Sequence, residues 1–85
     1  MIRLRCFAAA REAAGRSSDE FELAPGATVA DLLAAACARY GDGFAVVLTS
    51  SRVWVNGDEP SAGSATVLVP DDEVAVLPPV SGGAR

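Results

Sequence analysis

The chain has no histidine and no lysine, two cysteines, and one tryptophan, one tyrosine and three phenylalanines among its 85 residues. Without histidine it lacks the commonest general base, and two cysteines cannot build a zinc site unaided. No catalytic triad, P-loop or Gly-rich dinucleotide fingerprint is present. Such a chain is not expected to be an enzyme by itself. Its seven arginines are outnumbered by 11 acidic residues, for a formal charge of -4. That balance argues against nucleic acid, whose phosphates need clustered basic residues, and suits a basic protein partner. No apolar run approaches the roughly 18 to 20 residues that span a bilayer. The N-terminal stretch is interrupted by Arg3, Arg5 and Arg11, so no membrane association is expected and the location is read as cytoplasmic. Cys6 and Cys37 then read as small buried apolar residues rather than a disulfide.

What is present is a pattern of short alternating segments around one amphipathic helix. "IRLRCFA" at 2–8 alternates, with Ile2, Leu4, Cys6 and Ala8 on one side and Arg3, Arg5 and Phe7 on the other. "AAREAAG" reads as a short helical turn closed by Gly15, and "DEFEL" at 19–23 as a second strand, paired antiparallel with the first. Thr28 is an N-cap with Asp31 three positions on, a capping-box spacing. Val29, Leu32, Leu33, Ala36, Cys37 and Tyr40 then keep to one helical face as far as Gly41. "FAVVL" at 44–48 is helix or strand by pattern. "RVWV" is a strand with Val53 and Val55 inward and Arg52 and Trp54 outward, ended by an Asn56-Gly57 turn. Residues 58–72 are loop-rich with room for one short edge strand. "EVAVL" is the last strand, with Val74 and Val76 inward and Ala75 and Leu77 outward, before Pro78 and Pro79 end pairing.

This order predicts an α+β chain with a β-grasp, ubiquitin-like architecture: a mixed sheet of four to five strands, one main helix on one face, and the first and last strands parallel at the centre. A ferredoxin-like sandwich would need a second full helix, for which the segment at 44–51 is too short. One domain spans 1–80, and 81–85 is a flexible tail carrying Gly82 and Gly83.

A single helix leaves the other sheet face open, and Phe7, Trp54 and Leu77 would lie there on three neighbouring strands. They read either as scattered surface residues or as a partner-docking patch beside the tail. Gly82 and Gly83 read either as a frayed end or as a segment that threads a slot too narrow for a Cβ. Arg11-Glu12 reads as a structural brace for the loop or the tail strand. Asp71, Asp72 and Glu73 read as a solvated turn, with contact to basic residues of a partner protein as the second reading.

Taken together, "FAAAREAAG", "GATVADLL", "VWVNG" and "DDEVAVLPPVSGG" resemble the MoaD/ThiS sulfur-carrier family, nearest to its molybdopterin-synthase branch. The resemblance covers nearly the whole chain. It implies that an E1-like enzyme uses ATP to adenylate a C-terminal glycine, that a sulfurtransferase or other donor converts it to a thiocarboxylate, and that the large subunit of molybdopterin synthase accepts the sulfur. No cofactor is implied on the carrier, and no metal. By position, Gly83 would carry the adenylate and thiocarboxylate, Gly82 would thread the slot, and Phe7 and Leu77 match the family's contact surface. Ala84 and Arg85 depart from the branch, which commonly stops at the second glycine, so the resemblance implies their prior removal, with a JAMM-type protease as the candidate. The alternatives are a carrier for another sulfur acceptor, in cysteine, thiosugar or thioacid biosynthesis, and a ubiquitin-like protein modifier. Lacking lysine, the chain could not build polymers on itself.

Overall fold

The computed structural model describes residues 1–79, so the expected boundary at residue 80 and the tail at 81–85 lie outside the described residues. Four strands form one sheet: β1 (Ile2–Cys6), β2 (Ser18–Phe21), β3 (Arg52–Val55) and β4 (Glu73–Leu77), in the order β2-β1-β4-β3. β1 pairs antiparallel with β2 and parallel with β4, and β3 pairs antiparallel with β4. The first and last strands therefore fill the centre, as the sequence predicts. Three helices accompany them: α1 (Ala8–Ala14), α2 (Val29–Tyr40) and α3 (Asp42–Leu48).

The core follows from alternation. Ile2, Leu4 and Cys6 of β1, Phe21 of β2 and Val74 and Val76 of β4 are buried on one face, against Val29, Leu32 and Ala36 of α2. Val53 and Val55 pack at its margin. Both cysteines are free thiols, with Cys6 buried and Cys37 packed beside the core. Thr28 and Asp31 form the capping box: the Asp31 amide donates to Thr28 Oγ1 at 3.3 Å and the Thr28 amide to Asp31 Oδ2 at 2.9 Å. Two orphan donors at the helix start are thereby satisfied.

Two details differ from the expectations, and two points left open are decided. Ala8 is exposed and starts α1 instead of continuing β1; its φ of 51° turns the chain sharply out of the sheet. β2 stops at Phe21, because after Ile2 there is no further β1 residue to pair with. The ambiguous "FAVVL" belongs to α3, where Phe44 is buried and Val47 and Leu48, three and four residues on, pack beside it. Residues 58–72 contribute no sheet edge. They hold a 3-10 turn at Gly63–Ala65 and a lone bridge from Val67 to Thr28. Hydrogen bonds from Leu68 N to Ala27 O (2.8 Å) and Val29 N to Thr66 O (2.9 Å) bind this segment to the start of α2, with Leu68 buried.

The Asn56-Gly57 turn forms as predicted. Both residues have positive φ, 52° and 87°, the combination that a two-residue hairpin turn matching strand twist demands. Hydrogen bonds in both directions between Val55 and Asp58 close it, at 2.8 and 3.1 Å.

Candidate docking face and the strand leading to the tail

The face of the sheet away from α2 can be read row by row from the register. Leu77 stands opposite Arg52, and Ala75 lies between Trp54 and Arg5. Cys6 pairs with Val76, so Phe7, the next residue, comes level with Leu77; its amide donates to Val76 O at 3.3 Å. Phe7 keeps an extended backbone (φ -122°, ψ 151°) and stands at the corner where β1 gives way to α1. The Arg5 guanidinium lies 5.3 Å from its ring centre, within cation-π range. Phe7 is 37% exposed, while Leu77 and Trp54 are half-buried. The structure thus brings Phe7 and Leu77 together, with Trp54 diagonal to them over Ala75. Trp54 is less open than an outward residue on a bare face would be, and its indole N–H is buried without a partner among the described residues. Gly82 and Gly83 lie outside the described residues. What is described is their approach: β4 runs through Leu77 beside Phe7 into Pro78 and Pro79.

The charges are sorted along the sheet. Arg52, Arg11 and Arg16, with one exposed carboxylate, Glu12, lie at the end where β4 finishes. Glu20, Glu22, Asp58, Asp71, Asp72 and Glu73 lie at the other, where β4 begins. Two ion pairs on the outer face partly offset the carboxylates, Arg3 to Glu20 at 3.5 Å at the same end and Arg5, from mid-strand, to Glu73 at 3.9 Å. A uniformly acidic surface facing a basic partner is therefore not what this chain presents near its tail. Asp71 and Asp72 precede β4 and Glu73 is its first residue, so the solvated turn ends at Asp72, a full strand length from Leu77. Asp72 is occupied structurally, accepting from Val69 N at 2.8 Å and from Asn56 Nδ2 at 2.9 Å. Arg11 and Glu12 are exposed on α1, and among the described residues neither forms an ion pair, so no bracing role is visible there.

The sequence reading passed over Asp19. It faces the helix side of β2, 14% exposed, and accepts from Tyr40 Oη at 2.6 Å and Arg39 Nη1 at 3.0 Å, with Arg16 at 3.5 Å. The Tyr40 hydrogen bond outweighs the cost of burial and, with Arg39, the Glu20 amide and Arg16, holds the carboxyl down to about 2. Burial and the same carboxylate push the Tyr40 phenol up. Arg39 also donates to Glu20 O at 3.1 Å and lies 3.8 Å over the Phe21 ring. These contacts clasp the end of α2 to edge strand β2. Strand alternation carried the signal, since Asp19 shares the inward parity of Phe21, and an inward carboxylate demands partners. Burial, helped by the Asp19 charge, also pushes the Cys6 thiol up, which keeps it un-ionised and inert. Among the described residues no helix is long and apolar enough to cross a membrane.

A mixed sheet with parallel first and last strands, and a helix laid across one face, is the β-grasp fold of ubiquitin-like proteins. Comparison with known proteins narrows this class. The chain matches the model of the ThiS family over residues 4–83 and belongs to that family. It is 35% identical over 82 residues to a molybdopterin synthase sulfur carrier subunit of Chlamydomonas reinhardtii, covering 96% of this chain and 98% of that one. Among solved structures it is similar to small archaeal modifier protein 1 of Haloferax volcanii, with 28% identity, a TM-score of 0.84 and coverage of 96% and 98% of the two chains. The corresponding modifier protein of Methanosarcina acetivorans gives 29% identity, a TM-score of 0.81 and coverage of 96% and 95%.

Proposed function

We propose that this protein is a sulfur carrier acting as the small subunit of a molybdopterin synthase. In this reading Ala84 and Arg85 are first removed, by a JAMM-type or other protease, leaving Gly83 as the terminus. An E1-like enzyme then joins the Gly83 carboxylate to AMP, releasing pyrophosphate. The terminal sulfur of a sulfurtransferase persulfide displaces AMP, a thiol reduces the resulting acyl disulfide to the thiocarboxylate and is itself left in a disulfide, and the thiocarboxylate delivers its sulfur to the precursor of the molybdenum cofactor in the large subunit. The chemistry needs no catalytic side chain from the carrier. A carboxylate becomes a useful electrophile only once it has a leaving group, and the thiocarboxylate is by far the better nucleophile of the two acids.

The observation that carries the proposal is the position of β4. The central strand runs through Leu77, beside Phe7, into Pro78 and Pro79, which precede the glycines in sequence, so one partner surface could grip the patch while a slot receives the tail. Family membership and the name of the Chlamydomonas relative support the same reading. The trimming step follows from reach: two extended residues move the carboxylate by roughly 7 Å and add a cation.

The similarity to archaeal modifier proteins favours a second reading, attachment of Gly83 to lysines of other proteins. A carrier for a different sulfur acceptor is the third. Intact and C-terminal-peptide mass spectrometry of the native protein tests all of them. Loss of Ala84-Arg85 with one oxygen replaced by sulfur at Gly83 is expected. A carboxylate still ending at Arg85, with the activating enzyme present, would sink the carrier reading, and isopeptide adducts through Gly83 would support the modifier. Co-purification with a molybdopterin synthase large subunit, rather than another sulfur-accepting enzyme, separates the first reading from the third.

A further inference from the structure

At the end of the sheet away from the tail exit lies a cleft of about 380 Å³, with Met1, Leu23, Pro25, Val67, Val69 and Pro70 among its walls. We propose that it docks a segment of a partner protein that carries one or two aliphatic or aromatic side chains flanked by lysine or arginine.

Three observations select that occupant. The first is apolar surface left open: Val67 and Val69 are 55% and 56% exposed on either side of the buried Leu68, and Met1 is 59% exposed. Apolar side chains grouped around a concavity mark a binding surface more often than isolated ones do.

The second is rigidity. Leu68 is held to Ala27 at 2.8 Å, Val69 N to the Asp72 carboxylate at 2.8 Å and Asp71 N to Met1 O at 3.0 Å. Pro25 and Pro70 fix the backbone on the two sides. A wall so pinned loses little entropy when filled.

The third is charge. Glu22 lines the cleft, and Glu20, Asp71 and Glu73 line a smaller depression that shares Met1 with it. Arg3 offsets Glu20 and Arg5 offsets Glu73 at 3.5 and 3.9 Å, whereas Glu22 and Asp71 have no ion-pair partner among the described residues and outnumber the one further cation there, the Met1 α-ammonium. The rim therefore favours cations, and a basic flank supplies them.

The arginine-bearing end of a second copy is the rival occupant. That contact would cover Phe7 and Leu77, and a head-to-tail contact does not close on itself in a pair. The five residues of β4 set the cleft roughly 16 Å from the tail exit, so both ends can be engaged at once. The proposal is independent of the sulfur-carrier reading.

The test is an NMR titration of the isotope-labelled protein with three capped peptides: Arg-Lys-Leu-Val-Arg-Lys, its Glu/Asp-flanked counterpart, and Arg-Lys-Gly-Ser-Arg-Lys. The first should shift the amides of residues 23, 24, 26, 27, 67, 68, 69 and 71, and should bind at least about tenfold more weakly at high salt, where exposed charges are screened. The other two should bind at least about tenfold more weakly than the first, and a Val67→Ser/Val69→Ser variant with an intact spectrum should lose the first by a similar factor. The proposal fails if the acidic-flanked peptide binds as well, if shifts centre on Phe7 and Leu77, or if no peptide shifts the cleft at millimolar concentration. It also fails if concentration-dependent broadening without peptide is abolished by Val69→Asp, which would assign the cleft to a second copy.

Discussion

At one end of the sheet β4 finishes beside Phe7 and Leu77 among arginines; at the other it begins among carboxylates around an apolar cleft. The two ends share the same four strands and the same core, yet they present opposite charge and opposite relief. The arginine end offers a partly exposed ring, Phe7, beside the last residue of the central strand. The acidic end offers a concavity, suited to receiving a partner. A net charge of -4 describes neither, because attraction is set by the local field and a surface charge is screened within about 10 Å at ordinary salt.

The sharpest test of what the ends share is Leu4, fully buried on the central strand between them. Leu4→Ala should cost about 2–5 kcal/mol in denaturant unfolding. If the amides of one end lost protection while those of the other kept it, the ends would be separate cooperative units. Next comes Phe7→Asp, which should weaken binding of an E1-like partner at least about tenfold while leaving the unfolding midpoint nearly unchanged. A Val69→Asp variant should bind that partner normally; equal losses from both substitutions would erase the division.

The Asp19 clasp comes third. Its folded-state pKa of about 2 lies below the ordinary 3.8, so its stabilisation is complete above about pH 4 and is lost as pH falls toward 2. Asp19→Asn should cost about 1–2 kcal/mol at neutral pH and flatten the acid limb of the stability profile. An unchanged acid limb would remove the clasp from the account. The smallest effect belongs to Arg5→Ala, which breaks an exposed bridge from mid-strand to the acidic end and should cost about 0–1 kcal/mol, less in salt. A larger loss at high salt would point to packing on Phe7 in place of charge.

Much of this division was legible in the residues, and the parts that were not have identifiable causes. Period-two alternation in "IRLRC" and "EVAVL" set the faces of both central strands, and one-sided spacing from Val29 to Tyr40 set α2. Alternation cannot say where a strand loses its neighbour, so Ala8 and Leu23 were assigned to strands that end before them. The apolar run at 44–48 fits either period, and only the core position of Phe44 decides it. Phe7 and Leu77 were placed together correctly because parallel central strands align their ends. The segregation of charge was invisible, since it arises from the antiparallel return of β2 and the parallel register of β4, which bring distant carboxylates to one end. Asp19 was passed over because an inward acid in a short edge strand looked like ordinary polarity until Tyr40 and Arg39 closed on it.

The parallel pairing of β1 with β4 also orders events in time. Ile2–Cys6 emerges first from the ribosome and waits unpaired on one side until Glu73–Leu77 has followed it out. Pairing between such distant segments is slow to nucleate, because the long loop must close before any contact rewards it. A chain halted before Leu77 lacks the middle of its sheet and would be exposed to proteolysis. Only a chain synthesised through β4 can close the sheet, so a truncated chain never assembles the face on which Phe7 and Leu77 meet.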